Sequence, residues 1–259
     1  MHYSLQKTKP RFPFLLLSAS KLSRPALNTL EANEIAVKFV EPIGNPFKGQ
    51  MNPNWRHTYS KLRVFEQAQF DKIVYLDADM LICKSIDELF EKPHMSAVNS
   101  GGMLPELSYW VQLNSGLMVI EPAKVDAAEM LGKAVASGKP LTRGGDQAIL
   151  YANFPDWPKQ QELHLDHKFN MFDRHLDRYR ELFGYQLIRG TTITASEQEN
   201  ERTVHVVHHV GRPKPWQHKP WHLLSQLAGR IPNGPLFLQS LRLWRCFRQE
   251  MQESAVLHD

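Results

Sequence analysis

At 259 residues the chain has the length of one domain with a substantial core, and 42% apolar with 22% charged residues is the balance of a globular protein. A net charge of +4 spread along the chain gives no argument for a nucleic-acid partner. Two cysteines, Cys83 and Cys246, exclude a disulfide framework and a zinc-type spacing and point to a reducing compartment, the cytoplasm.

No run reaches the ~20 apolar residues of a membrane span. The opening "KTKPRFPFLLLSAS" has basic residues before an apolar patch, as a signal peptide does. The patch is short and lacks a small-x-small cleavage site, so residues 14–18 read as a buried strand instead. "SRPALNTLEANE" follows as a helix capped by Ser23 with Pro25 in its first turn, and "IAVKFVEPI" as a second strand. "TYSKLRVFEQAQF" puts Tyr59, Leu62, Phe65 and, less regularly, Phe70 on one side of a helix. "IVYL" (73–76) is apolar on both faces, as in the interior of a parallel sheet. In "KSIDELFE", Ser85 and Glu88 have capping-box spacing. "NSGLMVIEP" reads as a strand, and "AKVDAAEMLGKAVASGKP" as a helix ending at Gly138 with Pro140 beyond. "GGDQAILYANF" opens another helix, and "TVHVVHHVG" is a last strand. This alternation predicts an α/β domain with a mostly parallel sheet flanked by helices.

In such a sheet, ligands bind beyond the carboxyl ends of the strands. Asp77 and Asp79 of "YLDADM" stand at one such end. Residues i and i+2 of an extended backbone point the same way, so both carboxylates can converge on one cation. Oxygen ligands suit Mg²⁺ or Mn²⁺, and an added imidazole favours Mn²⁺. Alone, the pair is equally a polar turn closing a strand.

Four segments in series change that balance: "YSKLRVFEQAQFDKIVYLDADMLICKSIDELF", "NSGLMVIEP", "GGDQAIL" and "HHVGRPKPW". Over residues 4–216 they resemble the glycogenin-like retaining glycosyltransferases of family 8. The resemblance implies a GT-A type, Rossmann-like nucleotide-sugar-binding domain that moves a hexosyl group from a UDP-sugar to a glycan, protein or small-molecule acceptor. It implies that Asp77 and Asp79 hold Mn²⁺, with Mg²⁺ the alternative, against the donor diphosphate, which sets Asp77 beside the donor as well. His208 matches the third protein ligand, rather than His209. Gly211 and Lys214 match contacts to the diphosphate, and Lys61 a lysine at the donor phosphate and sugar. Asn114, Ser115 and Gly116 match groups around the donor sugar, and Asp146 with Gln147 the pair lining the sugar and acceptor face. Retention proceeds by front-face attack or through a covalent intermediate, and Asp146 is the motif carboxylate placed to be a nucleophile. Arg56 is a further candidate for a phosphate.

Each residue has a plainer reading when taken singly. Lys61 can be a solvated lysine, His208 a core histidine, "NSG" a turn and "GGDQ" a helix cap. Cys83 packs as a small hydrophobe.

Two departures from the family pattern stand out. Ser4-Leu5 looks like the end of the family's first helix, so a central strand and part of the uridine site are expected to be missing, leaving two strands with unpaired edges. Arg143 stands where glycogenin has an acidic residue, and neither Tyr179 nor Tyr185 is assignable as a self-glycosylated acceptor. The domain reading is therefore 1–220 for the transferase, lacking its first strand, and 221–259 for a helical tail. In the tail Phe237, Leu241, Trp244, Phe247 and Met251 recur at helical spacing beside Arg242, Arg245 and Arg248. Such a helix packs on the domain or on a second copy in a homodimer, with peripheral membrane contact as the other use. A catalytically inactive, truncated transferase acting as a binding or scaffold protein is the alternative to an enzyme.

Overall fold

The computed structural model describes residues 1–45, 58–136, 145–217 and 234–256. Helix α1 (His2–Lys7) turns Ser4 and Leu5 inward, and Ser4 Oγ accepts a hydrogen bond from Ile82 N at 3.1 Å. β1 (Leu15–Ser18) leads into α2 (Arg24–Ala32), where Ser23 Oγ caps Ala26 N and Pro25 sits in the first turn. β2 (Ala36–Phe39) then returns parallel to β1.

The remaining strands are β3 (Ile73–Leu76), β4 (Met80–Ile82), β5 (Ala97–Asn99), β6 (Leu113–Ile120), β7 (Met171–Phe172) and β8 (Val206–His208). They pair in the orders β3-β6-β5 and β4-β8-β7. Among the described residues β1–β2 and β7–β8 run parallel, whereas β3–β6, β5–β6 and β4–β8 run antiparallel. The α/β class stands, but the expectation of a mostly parallel sheet is corrected to a mixed one. Apolar residues on both faces of β3 report that both faces are covered; they carry no information about strand direction.

β6 is the central element, with no residue of Leu117–Ile120 measurably exposed. Met118 and Ile120 face one cluster with Tyr59, Leu62, Phe65 and Trp157, while Leu117 and Val119 face another with Met80, Ile82 and Val206. That alternation is the period-two geometry of a strand buried on both faces.

Thr58–Glu66 is a 3₁₀ helix rather than an α-helix, yet it buries Tyr59, Leu62 and Phe65 as the spacing requires, with Val64 added and Phe70 left outside. Ser85 does not form the expected capping box: its Oγ accepts from Asp87 N at 3.3 Å, and the short 3₁₀ helix Asp87–Glu91 has no side-chain cap. Helices α3 (Ala127–Ala136) and α4 (Asp146–Asn153) follow. The expected helix end at Gly138 and Pro140, like Arg56 and Arg143, lies outside the described residues. α5 (Leu176–Phe183) and α6 (Ala195–Glu199) complete the body.

The last helix, α7 (Pro235–Val256), is not a free tail among these residues. Leu236, Leu243 and Phe247 share a core with Leu81, Met171, Leu176 and Val207. Asp177 of α5 caps its amino end, accepting from Leu236 N at 2.8 Å and Phe237 N at 3.2 Å. Glu250 pairs with Lys7 of α1 at 2.9 Å. Of the expected apolar stripe, Phe237, Leu241 and Phe247 are buried, while Trp244 and Met251 are half-buried. No helix among the described residues is long and apolar enough to cross a membrane.

β1 and β3 each keep one edge without a strand partner among the described residues, and both border an apolar slot of about 520 Å³. Consecutive residues of each strand line it, Leu15 to Leu17 and Ile73 to Leu76. Because neighbours on a strand point to opposite faces, only a strand edge presents consecutive residues to one cavity. The slot has the form of an unfilled place in the sheet.

Candidate active site

The carboxyl end of β3, the start of β4 and the end of β8 meet at one point. Asp77 N donates to Gly116 O at 2.8 Å, prolonging the β3–β6 ladder by one step. Asp79 O accepts from His209 N at 3.0 Å, and Met80 stands opposite His208 in the β4–β8 register. Between them Ala78 is exposed, so the turn directs both aspartates towards His208. One ligand-type atom from each of Asp77, Asp79 and His208 falls within 4.8 Å of the other two. His208 Nε2 lies 3.2 Å from Asp79 Oδ1 and 3.8 Å from Asp77 Oδ2.

Two lysines brace the carboxylates. Lys61 Nζ, carried by the 3₁₀ helix, lies 3.0 Å from Asp77 Oδ1, 3.0 Å from Asp146 Oδ2 and 3.1 Å from Ser115 Oγ. Burial opposes its charge, but the carboxylates of Asp146 and Asp77 outweigh burial and hold the ammonium above its ordinary pKa. Lys214 Nζ donates to Asp79 Oδ2 and, at 2.6 Å, to His209 O. Burial likewise opposes ionisation of Asp79, and the neighbouring His208 and Lys214 outweigh it, holding the carboxyl far below the usual carboxylate range.

Asp146, at the first position of α4, accepts from Ser115 Oγ at 2.6 Å. Asn114 Oδ1 accepts from Gly116 N at 2.9 Å and from Asn170 Nδ2 at 2.8 Å. Gly116 is required by packing: a Cβ there would lie 2.5 Å from His208 Cε1. Gly211 has φ +76°, and a Cβ there would meet the Arg174 guanidinium at 2.4 Å.

Lys61, Asp77, Asp79, Ser115, Asp146, His208 and Lys214 therefore form one connected cluster, to which Asn114 and Gly116 bind His208's surroundings. Gln147 is not drawn into it; its Nε2 donates to Tyr151 OH at 3.0 Å along its own helix. His209 turns away, its Nδ1 3.1 Å from Asp173 Oδ2. The hydroxyls of buried Tyr179 and Tyr185 are engaged, the first accepting from Met103 N at 3.1 Å and the second 2.9 Å from Asp166 Oδ1. Cys83 is buried, which pushes its thiol up to about 12.

Two members of the site were not among the residues singled out from the sequence, Tyr75 within the first motif and Asn170 outside all four. Tyr75 OH donates to Asp77 Oδ1 at 2.8 Å, and burial followed by that carboxylate raises its pKa well above the ordinary value. Asn170 Oδ1 lies 2.9 Å from His208 Nδ1. The one available signal for Tyr75 was its i−2 relation to Asp77 on a strand; Asn170 offers none.

The donor set fits a divalent cation. Two carboxylates and an imidazole converge, and the cluster sets three carboxylates (Asp77, Asp79, Asp146) against two ammonium groups (Lys61, Lys214), leaving a net negative charge beside the ligand atoms.

Comparison with known proteins identifies the setting. The model of the family described as glycosyl transferase family 8 matches residues 17–220. UDP-glucuronate:xylan alpha-glucuronosyltransferase 2 of Arabidopsis thaliana is 30% identical over 154 residues, 60% of this chain and 24% of that protein. Glycogenin-1 of Caenorhabditis elegans is 27% identical over 206 residues, 77% of this chain and 43% of the relative. The chain thus spans about a quarter to two fifths of the length of these relatives. The crystal structure of the glycosyltransferase GlyE of Streptococcus pneumoniae TIGR4 superposes with a TM-score of 0.55 at 17% identity, over 96% of this chain and 59% of that one. At that identity the likeness concerns the fold, and it bears out the GT-A type.

Proposed function

The chain belongs to glycosyl transferase family 8, and from that premise we propose that it transfers a hexosyl group from a UDP-sugar to an acceptor with retention of configuration, using Mn²⁺. The observation that carries this reading is the convergence of Asp77, Asp79 and His208 beside Lys61, Asp146 and Lys214 from separate segments of the chain. A UDP-sugar donor accords with the relative whose name specifies UDP-glucuronate.

Breaking the sugar–phosphate bond places negative charge on the departing UDP and positive charge on the anomeric carbon. Asp77, Asp79 and His208 would hold a divalent cation, which would supply positive charge to the leaving diphosphate; two oxygens and one nitrogen favour Mn²⁺ over Mg²⁺. Lys214, anchored on Asp79, adds a second positive group on the same side, and Lys61 bridges Asp77 and Asp146 and holds them oriented. Asn114, Ser115 and Asp146 line the place of the donor sugar, with Gln147 at the acceptor side. The mechanism that fits Asp146 is front-face attack with Asp146 positioning substrate, because its Oδ2 is already shared by Ser115 Oγ and Lys61 Nζ.

The test is UDP release by purified protein with Mn²⁺, a panel of UDP-hexoses together with UDP-glucuronate, and an acceptor mixture. Turnover with at least one donor is expected, abolished in Asp79→Ala while the circular-dichroism spectrum is unchanged. Absence of UDP release with every donor, together with no binding of UDP or Mn²⁺ by calorimetry, would return the chain to the scaffold reading.

A further inference from the structure

A histidine that ligates through Nε2 must carry its proton on Nδ1, and which nitrogen is protonated depends on the partner of the other. Around His208 that partner can be deduced from a group whose role is not in question. The backbone N–H of Gly116 can only donate, and the atom 2.9 Å away is Asn114 Oδ1. This orients the Asn114 amide. The next atom against that oxygen, at 2.8 Å, must be a donor, so Asn170 turns its Nδ2 towards it. Asn170 Oδ1 is thereby directed at His208 Nδ1, 2.9 Å away. A carboxamide oxygen only accepts, so the proton stands on Nδ1. In the neutral ring this leaves a lone pair on Nε2, the nitrogen that faces Asp79 Oδ1 at 3.2 Å.

The surroundings reinforce this order. Asn114, Asn170 and His208 are all at most 6% exposed, so water competes little for any of the three bonds. Phe172, one residue after Met171, stands opposite His208 in the β7–β8 register and sets its ring edge-to-face against the imidazole, centroids 5.6 Å apart. On the opposite wall Gly116 leaves the room that any Cβ would take from His208 Cε1.

We infer that Asn170 is a positioning residue that holds His208 in its Nδ1–H tautomer, through a relay running from the Gly116 backbone by way of Asn114, and so readies Nε2 to bind a divalent cation with Asp77 and Asp79. The inference rests on the proposed metal-dependent transfer, but its readouts need no sugar donor. A protein that shows the relay and binds Mn²⁺ yet releases no UDP overturns the transfer reading and leaves the relay standing.

The test joins two measurements on the full chain. The ¹⁵N spectrum of histidine-labelled, metal-free protein at pH 8, with the His208 signals assigned by their loss in His208→Gln, is expected to show a proton on Nδ1. Mn²⁺ titration followed by electron paramagnetic resonance is expected to show roughly 10–100-fold weaker binding in Asn170→Leu, the usual cost of removing a ligand's hydrogen-bond partner. An unprotonated Nδ1 at His208 in the unsubstituted protein overturns the inference, as does wild-type Mn²⁺ affinity in Asn170→Leu. If Asn170→Leu does not fold, the unsubstituted spectrum decides.

Discussion

β3 meets two different surroundings. At its carboxyl end every polar group is engaged: Asp77 takes a backbone bond to Gly116, the Tyr75 hydroxyl and the Lys61 ammonium. Along its outer edge, a few ångströms away in sequence terms, Ile73 to Leu76 face an apolar slot that no described strand fills. One strand thus holds a densely paired charge cluster and an open edge. Charges in a partly buried site must be paired or they neutralise, whereas an open edge of a few residues in contact with water costs far less. The strand tolerates the second because β6 covers its other side completely.

Removing Lys61 strikes the paired end hardest. Lys61→Ala leaves the carboxylates of Asp77 and Asp146 together without their cation, Asp146 at 7% side-chain exposure. The expected cost is about 3–5 kcal/mol in denaturant unfolding, with UDP release falling by roughly 10²–10³-fold. A stability change below about 1 kcal/mol would show that the cluster is solvated like an ordinary surface pair.

Leu76 and Leu117 sharpen the contrast, because they are partners across the β3–β6 register. Leu117 is fully buried, and Leu117→Ala should cost about 2–5 kcal/mol. Leu76 borders the slot and is half-buried, so Leu76→Ala should cost about half as much. Equal losses in paired unfolding curves would mean that something covers the slot in solution.

The charge cluster was legible in the sequence because its members come in ordered motifs: "DAD" at a strand end, "NSG", "GGDQ" and "HHVG" each place one or two of them. Its supports were not. Asn170 acts on His208 across 38 residues and on Asn114 across 56, and a lone asparagine in "KFNMF" has no local pattern. Strands β4, β5 and β7 escaped because two or three residues are too few to establish a period. The antiparallel direction of β6 was hidden for a different reason. Strand direction lives in the connections and in the partners, and neither is written in the composition of the strand itself. The open edge beside β3, by contrast, was expected from the resemblance rather than from any residue in the slot.

His205 tests the interior behind the cluster by pH. It is 3% exposed, with Nδ1 2.6 Å from Ser85 O and no partner on Nε2. Burial, aided by Lys168 and Lys84 nearby, lowers its pKa from 6.5 to about 4. The unfolded chain therefore takes up a proton below pH 6.5 that the folded chain refuses until about pH 4. Stability present above pH 6.5 should fall as the pH drops through this window, by about 3 kcal/mol from His205 alone, and change no further from this group below pH 4. Unfolding free energies measured from pH 8 to 4 should slope less steeply in His205→Phe than in the unsubstituted protein; parallel slopes would mean that His205 is reached by water.

The smallest effect is expected farthest from both surroundings, at the junction of α5 and α7. Asp177 accepts from the first two helical N–H groups after Pro235, and its loss leaves them to water at a helix end that is partly buried. Asp177→Ala should cost about 1 kcal/mol, the usual value of a side-chain cap, with Asp177→Asn retaining most of it. The form of the transition matters more than its size. Leu243 and Phe247 share their core with Leu81 and Val207, strand residues that flank the charge cluster, so α7 should unfold with the rest in one step. A separate early transition in Asp177→Ala, followed by tryptophan fluorescence of Trp244 against far-ultraviolet circular dichroism, would instead make residues 221–259 an independent unit. In that case binding of the proposed divalent cation at the cluster would outlast the melting of α7; with a shared core, the two should be lost together.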